Sequence, residues 1–131
     1  MLNKQTETER NSITSQRRGQ EILRRILLLK EGGKCIISKI ANEELLIVSH
    51  IKPWADCSNR VNERLDVENV LLLSANWDAL FDKKLISFDP ETGKMIKSDR
   101  IDDQTLLKLG VPSDWRDKVC IPVKTENRKK Y

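Results

Sequence analysis

Apolar residues first thicken between Thr14 and Glu31, where Ile22, Leu23, Ile26, Leu27 and Leu29 recur at helical spacing. That pattern predicts an amphipathic helix, stopped by Gly32-Gly33 because glycine accepts the left-handed geometry that closes a last turn. Gly19 weakens the first half and moves the expected start toward Gln20. Downstream the period shortens. Cys35 to Ser38 and Leu45 to Ile51 read as strands, the second β-branched toward its end and terminated by Pro53. Residues 54–66 carry little apolar periodicity and read as a long loop, a length that is often functional in a compact domain. Asn69 to Leu73 is a further strand. Ser74 is the expected N-cap of a short helix from Asn76 to Lys83, with Leu80 and Phe81 turned inward. Asp89-Pro-Glu-Thr-Gly93 between Leu85–Phe88 and Lys94–Lys97 is a hairpin signal. A last helix is expected over Asp103 to Leu109, closed by Gly110 and Pro112. The central order is strand, long loop, strand, helix, which makes the expected fold class α+β.

Composition narrows the class. A chain of 131 residues that is 38% hydrophobic and 34% charged fits one small domain with a thin core. The polar start, residues 1–13, reads as a flexible N-terminus and not as a secretory segment. No apolar stretch approaches the ~20 residues that span a bilayer. Cys35, Cys57 and Cys120 form no CxxC pair, which argues against a disulfide framework or zinc knuckle and for thiols in a reducing compartment. A cytoplasmic protein with no membrane partner is expected. Net charge is only +4, but Arg17, Arg18, Arg24, Arg25 and Lys30 crowd the first helix, and Lys124, Arg128, Lys129 and Lys130 the C-terminus. Such clusters attract phosphate backbones; a solvated helix face and a ragged tail are the ordinary alternative.

Chemistry concentrates between Ser49 and Phe88. His50, the only histidine, ends a strand at the mouth of the long loop. An imidazole titrating near pH ~6.5 can take a proton from water, or it can be a half-buried group satisfied by a carbonyl. Asp78 and Asp82 stand one helical turn apart, so their carboxylates share a face. They repel unless a cation lies between them, and a hard divalent ion is one solution; helix-dipole and capping roles are the other. Asn69 sits where an amide could bond across to the first strand and steady an imidazole, or simply form a turn.

At these residues the chain strongly resembles the HNH endonuclease family, in the branch found at the C-terminal end of bacterial restriction-type nucleases. The blocks that carry the resemblance are Cys35-Ile-Ile-Ser38, Ser49-His-Ile-Lys-Pro-Trp54, Glu63-Arg-Leu-Asp-Val-Glu-Asn69, Asp78-Ala-Leu-Phe-Asp82 and Leu85-Ile-Ser-Phe88. Arg18-Gly19-Gln20 followed by Arg24 is similar to the lead-in of that branch. The resemblance implies a ββα-metal finger with an N-terminal helix, a following hairpin and a C-terminal helix. It implies that His50 is the general base, that Asn69 steadies the loop and the base, and that Asp78 and Asp82 ligate the metal. Three family glycine positions differ: Ser38-Lys39 replaces threonine-glycine, Val70 follows the central asparagine, and Lys84 follows the helix. Ser49 stands where many members carry a metal-binding acid or histidine.

The expected domain plan is therefore a flexible 1–13, an HNH nuclease domain over 14–110 and a basic tail over 111–131. The expected activity is metal-dependent hydrolysis of DNA phosphodiester bonds in a restriction or defence role. Mg²⁺ is the first choice of ion, then Mn²⁺ or another transition metal. Arg18, Arg24, Lys52, Arg60 and Arg64 are the expected DNA contacts, and a homodimer or a separate recognition domain or subunit would complete the assembly. The rivals are an inactive HNH-fold module that binds DNA or protein, and a nonspecific toxin-like nuclease.

Overall fold

The computed structural model describes residues 7–52 and 65–123. The chain is α+β. It opens with α1, Glu7–Lys30, and a single 3₁₀ turn, Glu43–Leu45, leads into β1, Leu46–His50. A second 3₁₀ turn, Val67–Asn69, precedes β2, Val70–Ser74. Then come α2, Ala75–Asp82, β3, Ile86–Phe88, β4, Met95–Lys97, α3, Asp103–Lys108, and α4, Trp115–Lys118. β1 pairs antiparallel with β2, from Leu46 opposite Ser74 to His50 opposite Val70. β3 and β4 form a second antiparallel pair. α2 lies against both β1 and β2, which completes the expected ββα unit.

β2 is the centre of the core. All five of its residues are buried, because α1, the 35–40 turn and α2 cover it together with Leu23, Leu27, Cys35, Trp77 and Leu80. A strand enclosed this way reads as the continuous apolar run Val70-Leu-Leu-Leu73 and not as an alternation. On α1 the apolar face is narrower than the sequence suggests. Leu23 and Leu27 are buried, whereas Ile22, Ile26 and Leu29 are exposed. The leucine-rich run carries two stripes, and only the one in phase with β2 is covered.

Several boundaries move. α1 begins at Glu7 where a flexible segment to residue 13 and a start near Gln20 were expected. Residues 7–13 hold no proline or glycine, so a helix nucleated downstream propagates through them. Gly19 stays helical within α1 and faces the side chain of Leu65, whose Cδ1 would lie 2.7 Å from a Cβ placed there. Cys35–Ser38 is a turn and not a strand. The Cys35 sulfur accepts the N–H groups of Ile37 and Ser38, and Lys39 takes a positive φ of 64°, which curls the chain out of extension. Burial alone would raise the Cys35 thiol, but hydrogen bonds from Ser38 and Ile37 outweigh it and hold the pKa below its ordinary value. Asn69 closes a 3₁₀ turn, with β2 starting one residue later. Ser74 occupies the N-cap position without capping; its hydroxyl donates to Asn76 Oδ1.

The domain also continues past residue 110. Val111, Trp115, Val119 and Ile121 are buried, Ile121 N–H donates to Gly93 C=O at 2.9 Å, and Lys94 bridges Cys120. Residues 111–123 therefore pack as a last layer on the β3–β4 hairpin. The basic residues expected in the tail, from Lys124 onward, lie outside the described residues.

Candidate nuclease site

β1 delivers the candidate residues to two sides of one strand. Ser49 is buried, and its hydroxyl donates to Asp78 Oδ1 of α2 at 2.5 Å. His50, one residue on, points to the opposite face, as neighbours in a strand must. There it lines a cleft between β1 and α1 together with Gln20, Leu23, Arg24, Leu46 and Val48. The imidazole and the carboxylates therefore flank the end of β1 from two directions.

Asn69 is fully buried and fixes the chain where β1 ends. Its backbone C=O accepts from Ile51 N–H at 2.7 Å, its Oδ1 from Lys52 N–H at 2.8 Å, and its Nδ2 reaches Lys52 C=O at 3.5 Å. Local sequence sets this up. Asp66 Oδ1 accepts from Glu68 N–H and Asp66 C=O from Asn69 N–H, folding the 3₁₀ turn that presents the amide. A Lys30–Glu68 ion pair at 3.7 Å ties the same turn to α1. The amide thus grips the backbone two residues after His50.

The donor set decides which ion these residues suit. Asp78 is half-buried and Asp82 exposed, both on α2 and one turn apart, with the Ser49 hydroxyl beside Asp78. Oxygen donors of this kind fit a hard ion such as Mg²⁺, which takes one or two carboxylates and keeps several waters. Among the described residues no group of three or more His, Cys, Asp and Glu could hold a metal, so an ion here would rest on the two aspartates and water.

The sequence between Cys35 and Asp89 carries a family signature of its own. Residues 35–89 match the HNH endonuclease family. The matched segment contains the turn, β1, β2, α2 and β3. The chain has no match among curated proteins.

The family glycine positions acquire a structural meaning. Lys39 and Lys84 both keep left-handed backbone, at φ 64° and 59°. Lys84 lies in the C-terminal turn of α2, where Leu85 N–H reaches back to Leu80 C=O, a closure that usually employs glycine. Val70 is extended at φ −129°, where any residue fits. Both left-handed turns form with lysine in place.

The expected DNA contacts divide. Arg24 directs Nη1 to Leu46 C=O at 2.7 Å and Nη2 to Glu43 C=O at 2.9 Å, which makes it a tether between α1 and β1. Arg18 is exposed but lies roughly 160° around α1 from Gln20, at about 100° per residue, and so faces away from the His50 cleft. Arg17, exposed as well, lies only about 60° from Gln20 by the same geometry. Lys52 is half-buried with its backbone held by Asn69. Arg60 and Arg64 lie outside the described residues. Gln20 and Ser49 were singled out in the sequence only by the family blocks; the structure adds that Gln20 lines the cleft beside His50 and that Ser49 is the partner of Asp78. The Ser49–Asp78 pairing had no local signal, because the two residues are twenty-nine positions apart.

Proposed function

We propose that this protein is a metal-dependent endonuclease that hydrolyses DNA phosphodiester bonds, in a restriction or defence role inside the cell. The observation that carries the proposal is the two-sided strand end, with His50 on one face of β1 and Asp78, held by Ser49, on the other. A phosphodiester lying across that end meets an imidazole and a carboxylate pair from opposite directions.

In this reading His50 accepts a proton from a water molecule at an imidazole nitrogen. The water oxygen forms a new bond to phosphorus as the ester P–O bond on the far side breaks, and the departing oxygen is protonated from solvent. Asn69 keeps the chain after β1 fixed, so that the imidazole meets the water in one orientation. Asp78 and Asp82 would hold a divalent ion, Mg²⁺ or alternatively Mn²⁺ or another transition metal, which when bound supplies Lewis-acid stabilisation of charge on the phosphate. Ser49 orients the Asp78 carboxylate for that role. Lys52 and the basic face of α1 around Arg17 draw the polyanion in.

A binding-only HNH module is the second reading. It is favoured by the hydroxyl of Ser49, a weak ligand already bonded to Asp78. Supercoiled plasmid incubated with Mg²⁺ or Mn²⁺ separates the two. Cleavage that needs metal and falls by about 10²–10⁴-fold in His50→Ala, the range for a lost general base, supports the nuclease. Equal cutting by His50→Ala refutes the assigned base. Salt-sensitive binding without cutting under any metal favours the module.

A further inference from the structure

The cleft between α1 and β1 is more than a gap beside the imidazole. Its volume is about 440 Å³, within the ~300–1,000 Å³ typical of small-molecule sites. Leu23, Leu46 and Val48 give it an apolar floor, and Gln20, Arg24 and His50 a polar rim. We propose that this cleft seats one nucleotide of the DNA, the one flanking the scissile phosphate, and that Gln20 contacts its base or sugar edge. The assignment rests on the nuclease reading of His50 and deepens it.

Continuity supplies the first argument. A strand whose phosphate lies within reach of the imidazole necessarily sets a neighbouring nucleotide beside it, and the cleft is the concave surface that His50 itself lines. The chemistry of the walls supplies the second. A sugar and the flat face of a base suit an apolar floor, while the Gln20 amide offers both a donor and an acceptor to a polar edge. Arg24 adds fixed positive charge, because its bonds to the carbonyls of Leu46 and Glu43 hold the guanidinium in one place.

Strand geometry adds a backbone donor. Leu72 C=O accepts from Ile36 N–H on the far edge of β2, so the Val48–Leu72 pair is of the non-hydrogen-bonded kind. The N–H and C=O of Val48 therefore point out along the same edge on which Arg24 holds Leu46 C=O. One turn before Gln20, Arg17 lies on the cleft side of α1 and is placed for the next phosphate. α1 becomes a reading element as well as a source of positive charge.

The test uses the whole protein, a short fluorescein-labelled DNA duplex, and Gln20→Ala, Gln20→Trp and Arg17→Ala. Anisotropy in EDTA reads binding without cleavage; cleavage rates follow with Mg²⁺ or Mn²⁺. Gln20 is exposed on a helix, so both replacements are compatible with folding, which circular dichroism checks. Gln20→Ala is expected to weaken binding by roughly 3- to 10-fold, the worth of one neutral hydrogen bond. Gln20→Trp, which fills the cleft, is expected to exceed that loss. The salt dependence should keep its slope in both Gln20 variants and fall by about one in Arg17→Ala. Parent-like binding and cutting by both Gln20 variants overturns the subsite while leaving the nuclease intact. If the parent never cuts, the nuclease reading fails, and the EDTA binding series still decides whether DNA occupies the cleft.

Discussion

The two antiparallel pairs of this protein are built on opposite principles. β3 and β4 close on themselves over a short turn in which Asp89 Oδ1 accepts the N–H groups of Glu91 and Thr92. Gly93, at φ 75°, lets the C-terminal segment dock. Every contact that sets the turn lies within a few residues. β1 and β2 are joined instead by a long excursion, and their mouth is fixed by one buried amide, Asn69, gripping Lys52. The locally closed pair supports the core, and the remotely closed pair carries the candidate chemistry. The candidate residues sit where the end of the paired strands is closed by a single side chain and not by a local turn.

Breaking the remote closure has the largest expected effect. Asn69→Ala removes the buried Oδ1 that accepts from Lys52 N–H, a cost of about 1–3 kcal/mol. Loss of a residue that orients a catalytic group lowers activity between about 10- and 100-fold. Denaturant melts and metal-dependent cleavage by the folded fraction measure the two separately. If cleavage falls no further than the folded fraction does, the amide only supports the fold.

Breaking the local closure should do the reverse. In Gly93→Ala the new Cβ would stand 2.0 Å from the Ile121 carbonyl oxygen and in a backbone region unfavourable to alanine. The expected cost is about 2–4 kcal/mol, with cleavage per folded molecule unchanged. A specific loss of cleavage would show that the second hairpin belongs to the site.

Acid sharpens the contrast with the smallest effect. The N–H groups of Glu91 and then Thr92 hold the Asp89 carboxyl below its ordinary 3.8. Because the folded pKa is the lower one, the stability this turn contributes is fully present above 3.8 and is lost as pH falls through the folded value. An NMR titration of the Glu91 and Thr92 amides should give a midpoint under 3.8; a midpoint at or above it refutes the turn as drawn.

The same contrast explains what could be read from the sequence. The β3–β4 hairpin and α3 were legible because turn and cap residues act on near neighbours; Asp102 accepts Thr105 N–H at 2.7 Å. The ββα order was legible from apolar runs and family blocks. The Cys35 segment was not, since a sulfur accepting two N–H groups turns a β-like sequence into a bend. Nor was the packing of residues 111–123, whose spaced apolar residues acquire a face only against the hairpin. In the site, His50 and Asn69 stood out by type and place. The division of Ser49 and His50 between two faces needed the register, and the cleft with Gln20 needed the phase of α1.

That division has a consequence for how this site can diversify. Because adjacent residues of β1 serve opposite sides, inserting or deleting one residue within the strand would swap the imidazole and the serine between the cleft and α2. Point substitutions can retune either side independently, but length changes in β1 exchange the two sides at once. Lineages carrying such a site should therefore vary freely in the long connection after β1 and hold the strand itself to a fixed length.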